Sequence, residues 1–113
     1  SINFMGKAIT LRSAQGAAVT TIDGWKSKDS VIKCISGEGP STVIAGFTIK
    51  NGYTSSNGGG IMIDNAEPSL SWMRIIRNRA LLSGGGIYIN NSNPNLFKSI
   101  NLDTIISILV LGR

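Results

Sequence analysis

The densest chemistry in this sequence is basic. Arg74, Arg77 and Arg79 fall in one short stretch, with Trp72 just before them. A guanidinium presents a planar fork of donors that meets a carboxylate or sulfate through two parallel hydrogen bonds. Arginines grouped on one exposed ridge therefore suit an acidic glycan. The internal repeat described below brings Lys50 beside them, one coil away. Trp72 and Tyr53 would add flat faces for sugar stacking. The competing account is a solvated strand surface with Trp72 packed on a loop.

Acid–base chemistry is poorly supplied. The chain has no histidine, which excludes Ser-His-Asp and Cys-His catalysis, histidine metal sites and histidine proton transfer. Glycoside hydrolysis commonly needs two carboxyl groups flanking the scissile bond, and calcium-assisted lyase chemistry needs several converging oxygen ligands. The acids are Asp23, Asp29, Glu38, Asp64, Glu67 and Asp103, and no two share an alternating strand face. Glu38 and Asp64 come nearest, because an offset of 26 superposes them. An insertion in the loop 37–42 is expected to break that register. Asp64 and Glu67 read as corner residues before Pro68. The triple glycines are followed by Ile61-Met62 and Ile87-Tyr88, not by the Lys and Ser/Thr of a phosphate-binding loop. Asn90-Asn91-Ser92 fits a glycosylation sequon and reads as a polar corner. No catalytic residue, cofactor or metal site is expected.

A net charge of +5 is spread along the chain without any block of like charge. Diffuse basicity gives weak, salt-sensitive attraction to acidic polymers, and no nucleic-acid motif accompanies it. Cys34 is the one cysteine; in the apolar run Val31–Ile35 it reads as a small buried residue. The apolar run Ile105–Leu111 is too short to span a bilayer, so no membrane insertion is expected. The start at Ser1 carries no signal-peptide pattern and reads as the interior of a longer chain.

These residues must be positioned by elements that repeat. Gly58-Gly59-Gly60-Ile61 returns as Gly84-Gly85-Gly86-Ile87, 26 positions on, and the same shift matches Ile63 to Ile89, Asn65 to Asn91, Pro68 to Pro94 and Leu70 to Leu96. A fixed period of this length marks a solenoid. Short apolar strands are predicted over Ala8–Arg12, Thr20–Asp23, Ser30–Ile35, Val43–Lys50, Gly60–Ile63, Ser69–Ile76 and Gly86–Ile89, separated by Gly, Asn, Asp and Pro turns. Nothing before Leu96 holds a helical period. In a parallel coil, equivalent residues stack about 4.8 Å apart. The offset then sets Phe47 under Met73 and Ile49 under Ile75 facing inward, and Thr48 under Arg74 facing outward. Gly52 and Asn78 share a corner, read as left-handed backbone. Asn65 and Asn91 share another, where their amides form a ladder.

The GG-x-I segments at Gly58–Ile61 and Gly84–Ile87, alternating with Ile75-Ile76-Arg77-Asn78, resemble the repeats of polymorphic outer-membrane proteins. Gly46–Gly52 resembles the strand-and-corner segment of right-handed parallel β-helix proteins with a pectin-lyase-like fold, and Ile9–Ser13 with Thr21–Gly24 is similar to their first coils. The resemblance covers roughly residues 2–96 and implies an all-β, right-handed parallel β-helix of about four coils. Past Leu96 the match stops: the offset lays Ser99 on Met73, Asn101 on Ile75 and Thr104 on Asn78. Residues 97–113 are therefore read as a divergent apolar tail, either a terminal strand or cap or the product of a frameshift, and the chain as a fragment.

The resulting expectation is a non-enzymatic, secreted or cell-surface repeat module of the passenger or adhesin kind, flanked by neighbouring coils of a longer parent chain. Its expected contact is an acidic polysaccharide or cell-surface glycan through Arg74, Arg77, Arg79, Lys50 and Trp72, without nucleic acid. The alternative is a piece of a polysaccharide lyase or glycoside hydrolase whose catalytic residues lie outside this segment, since pectin-lyase-like folds include both.

Overall fold

The structure, a computed structural model, describes residues 1–96, 100–102 and 108–111. The described residues contain strands and turns and no helix. The first coil holds β1 (Ile2–Asn3), β2 (Thr10–Arg12) and β3 (Thr21–Asp23). The second holds β4 (Ile32–Cys34), β5 (Val43–Ala45), β6 (Thr48–Lys50) and β7 (Tyr53–Thr54). The third repeats that plan with β8 (Ile61–Asp64), β9 (Ser69–Ser71), β10 (Arg74–Ile76) and β11 (Arg79–Ala80). The fourth holds β12 (Ile87–Asn90), β13 (Asn95–Leu96) and β14 (Asn101–Leu102), and β15 (Ile108–Leu111) lies on β12.

Every strand pairs in parallel with its equivalent one coil away. The four stacks run β1-β4-β8-β12-β15, β2-β5-β9-β13, β3-β6-β10-β14 and β7-β11. This is a parallel β-solenoid of about four turns.

The core follows from the registers. Ile32, Ile61 and Ile87 form one fully buried column, and Ile2 packs against its end. Leu11, Ile44, Leu70 and Leu96 form a second, and Ile22, Ile49 and Ile75 a third. Phe47 and Met73 are buried before β6 and β10, and the Ile49–Ile75 pairing is as the offset predicts. β-branched side chains suit such columns because they fill a pleated surface at little cost in rotamer freedom.

Three expectations need correction. The long strands predicted over Val43–Lys50 and Ser69–Ile76 are each broken by a left-handed residue, Gly46 (φ 84°) and Trp72 (φ 54°). The left-handed residues of the next corner are Asn51 (φ 59°) and Arg77 (φ 54°), one position before Gly52 and Asn78. Gly52 is glycine for a different reason: a Cβ there would sit 2.0 Å from the Gly59 carbonyl oxygen. Thr48 lies beside Arg74 on the face opposite the inward Ile49, as predicted, but it is buried and not exposed, because the loop 13–20 of the first coil covers it and its hydroxyl donates to the Ala17 carbonyl at 2.7 Å.

The stacking continues past Leu96 with a shift of one residue. Asn101 lies beside Arg74 and Leu102 beside Ile75, so the strict offset that put Asn101 on Ile75 does not hold there. Of the tail predicted from residue 97 onward, positions 97–99, 103–107 and 112–113 lie outside the described residues. Among the described residues, no helix is long and apolar enough to cross a membrane.

Candidate functional site

One groove gathers four basic and two aromatic residues from three successive coils. It encloses about 390 Å³ and is lined by Trp25, Lys26, Ser27, Lys28, Asn51, Gly52, Tyr53, Arg77 and Arg79. The first coil contributes the turn after β3, the second the corner between β6 and β7, and the third the corner between β10 and β11.

The turn is held from within. Asp23 Oδ1 accepts from the Trp25 N–H at 2.9 Å and from Asn51 Nδ2 at 3.0 Å. The Ser27 N–H donates to the Gly24 carbonyl at 2.8 Å, and Lys26 takes left-handed backbone. The Asn51 bond, then the Trp25 amide and the nearby Lys50 charge, hold Asp23 below the ordinary aspartate pKa. Trp25 is left 70% exposed, an indole face open to a ligand. Behind the turn, Asp29 Oδ2 pairs with Lys33 Nζ at 2.7 Å. Burial pushes the Asp29 pKa up, but the bonds from Lys33 and the Ser30 N–H outweigh it, and the net shift is downward.

The arginine side of the groove is set by the coil ladder. Tyr53 pairs with Arg79, and the Arg79 N–H donates to the Gly52 carbonyl at 2.9 Å. The Asn51 N–H donates to the Arg77 carbonyl at 3.1 Å. Asn78 points between coils: its Oδ1 accepts from the Gly52 N–H at 2.8 Å and its Nδ2 donates to the Ile49 carbonyl at 2.9 Å. That side chain satisfies backbone groups that the corner removes from the strand ladder.

The structure brings together Arg77, Arg79 and Tyr53 and separates the other predicted residues from them. Arg74 is exposed on β10 beside Thr48, Lys50 pairs with Ile76 outside the groove lining, and Trp72 stands 55% exposed at the corner before β10. Sequence reasoning missed Trp25, Lys26 and Lys28. β3 pairs with β6 at a shift of 27, not 26, so the repeat could not carry these residues to the arginines. The Asp23-Gly24 turn signal followed by Trp-Lys-Ser-Lys was the available clue.

Among the described residues, Glu38 and Asp64 bond within the fold. Glu38 is buried, and its carboxylate accepts from the Ser36 N–H at 2.9 Å and the Gly6 N–H at 3.1 Å, tying the first coil to the second. β4 pairs with β8 at a shift of 29, and the Glu67 N–H donates to the Glu38 carbonyl. The insertion expected after Gly37 is therefore present, and Glu38 does not face Asp64. Asp64 Oδ1 instead accepts from Asn90 Nδ2 at 3.1 Å. Asn91 Nδ2 donates to Asn65 Oδ1, the predicted amide ladder. Cys34 is fully buried, and burial first, then the Glu38 charge, pushes its thiol up to about 12. A thiol so raised stays protonated and unreactive. Among the described residues, no three His, Cys, Asp or Glu side chains group as metal ligands would.

No protein-family model matches this chain, and neither the curated proteins nor the solved structures contain a significant match to it.

Proposed function

We propose that this solenoid is a non-enzymatic module of a secreted or cell-surface protein, and that its basic groove contacts an acidic polysaccharide. One observation carries the reading: Lys26, Lys28, Arg77 and Arg79 share a single groove with the faces of Trp25 and Tyr53. Cations that recognise carboxylate or sulfate, beside aromatic faces for pyranose rings, are the two halves of an acidic-sugar site. The groove crosses coils, so a bound polymer lies along the solenoid axis. Its two basic edges come from coils two steps apart, roughly 10 Å. The enzymatic alternative has less support. Among the described residues, Asp23, Asp29, Glu38 and Asp64 each hold backbone or side-chain donors of the fold, so these four carboxylates are already engaged.

Retention on an immobilised uronate- or sulfate-bearing polysaccharide, eluted with salt, tests this reading. The chain should elute at a defined salt concentration, earlier after Arg77→Ala with Arg79→Ala, and at an unchanged position after Arg74→Ala. Salt-independent retention, or the double variant eluting with the parent, would sink it.

A further inference from the structure

The groove contains an Asn-Gly dipeptide, in which an unhindered backbone nitrogen follows a side-chain amide, and the fold requires it there. Asn51-Gly52 and Asn57-Gly58 are the two Asn-Gly pairs of the sequence. Position 52 must be glycine because any Cβ would collide with the Gly59 carbonyl oxygen and with Val31. Position 51 takes left-handed backbone, which asparagine adopts more cheaply than most residues. The same pairing exposes an asparagine side-chain carbonyl to the nitrogen of an unhindered neighbour.

We propose that Asn51 is a site of spontaneous deamidation, held back by a guard from each adjacent coil. In the reaction the Gly52 backbone nitrogen attacks Asn51 Cγ. A carbon–nitrogen bond forms, the Gly52 proton leaves through solvent, and the side-chain nitrogen departs as ammonia. Water then opens the cyclic imide to aspartate or isoaspartate. Both partners are occupied in the closed stack. The Gly52 N–H is committed to Asn78 Oδ1 of the third coil at 2.8 Å, and Asn51 Nδ2 to Asp23 Oδ1 of the first at 3.0 Å. Asn57-Gly58 is guarded differently, by a backbone bond from the Gly58 N–H to the Ser83 carbonyl at 2.9 Å.

The product changes the site. A carboxylate at position 51 replaces the amide that donates to Asp23, so two acids face each other where a hydrogen bond tied the Trp25 turn to the second coil. The groove, lined by Lys26, Lys28, Arg77 and Arg79, also gains a negative charge. This holds whatever the groove binds, because the reaction needs only the chain and water.

The test is to hold the full chain at mildly alkaline pH and measure deamidation at 51 and 57 by peptide mass spectrometry. Both positions should react more slowly in the folded chain than in urea. Asn78→Ala should speed position 51 roughly tenfold, the rate equivalent of one net hydrogen bond, with position 57 unchanged. Asp23→Ala should speed position 51 by a smaller factor, again without moving 57. Position 51 reacting as fast in the folded chain as in urea would overturn the proposal. An equal rise at both positions in Asn78→Ala would mean that the coil had opened, and Asp23→Ala then decides: no acceleration at 51 in that variant overturns it.

Discussion

The second and third coils stack on one plan, whereas the first and second do not. Between the second and third, three of the four strand pairs keep a shift of 26 residues, as do two pairs between the third and fourth. Between the first and second, the shifts are 30, 33 and 27. Constant spacing puts like on like and yields ladders: isoleucine columns, stacked glycines and the Asn65–Asn91 pair. Variable spacing yields surplus residues that must leave the ladder. Those residues build the loop 13–20 between β2 and β3 and the Gly39–Thr42 turn, where the Thr42 N–H donates to the Gly39 carbonyl at 2.9 Å; the Trp25 turn falls where the first coil is shorter than the others and has no counterpart of β7. The repeat supplies stability, and the departures from it supply the surface with distinctive chemistry.

The comparison breaks most visibly in the core. Ile61→Ala, at a fully buried position with neighbours above and below, should cost about 2–5 kcal/mol in chemical denaturation. Ile22→Ala, on the partly buried first coil, should cost clearly less. Equal losses would mean that the irregular coil is as tightly held as the regular ones.

Glycine substitutions sharpen the same contrast. A Cβ on Gly59 would lie 2.4 Å from the Arg79 carbonyl oxygen, so Gly59→Ala should destabilise by about 1–3 kcal/mol or more. A Cβ on Gly39 would meet nothing within 4 Å, and Gly39→Ala should change stability by less than about 0.5 kcal/mol. Similar costs at the two sites would contradict the division.

Asparagines come next. Asn78→Ala strands the Gly52 N–H and the Ile49 carbonyl and should cost about 1–3 kcal/mol. Asn91→Ala removes an exposed ladder bond and should cost less than about 1 kcal/mol, because water replaces it.

The smallest effect is titration at Asp23. Its pKa is depressed, so its bonds to Asn51 and Trp25 are complete above the ordinary aspartate range and are lost as pH falls through the lowered value. Carboxyl NMR should place its midpoint below that of an ordinary aspartate, and Asn51→Ala should move it back up. An ordinary midpoint in the parent would remove the anchor from the Trp25 turn.

Much of the fold was legible because stacking forces identity at a fixed interval. The glycine echo, the Ile49–Ile75 and Phe47–Met73 alignments and the Asn65–Asn91 ladder all follow from that one constraint. The corner at Asn65 and Asn91 was legible, but the two around β10 were not. Trp72 and Arg77 occupy left-handed backbone, where a residue with a Cβ is uncommon, so composition pointed to strand at the first and to Asn78 at the second. The groove was half legible. Arg77 and Arg79 sit within the repeat, whereas Trp25, Lys26 and Lys28 follow a coil whose spacing the repeat does not govern.

The stacked glycines carry one last implication. The Gly58 and Gly60 amides donate to carbonyls of the Ser83–Gly86 segment, backbone on backbone. A junction made without side chains is indifferent to which coil supplies its partner. Copying the 26 residues from Gly58 to Ser83 would lengthen the solenoid by one turn, keep the glycine junction at the new seam, and leave the side-chain bonds of that seam, such as Ala66 N–H to Ser92 Oγ, to be replaced. The chain therefore carries its own unit of length: the backbone half of each glycine junction is reusable, and only the side-chain half has to be fitted anew.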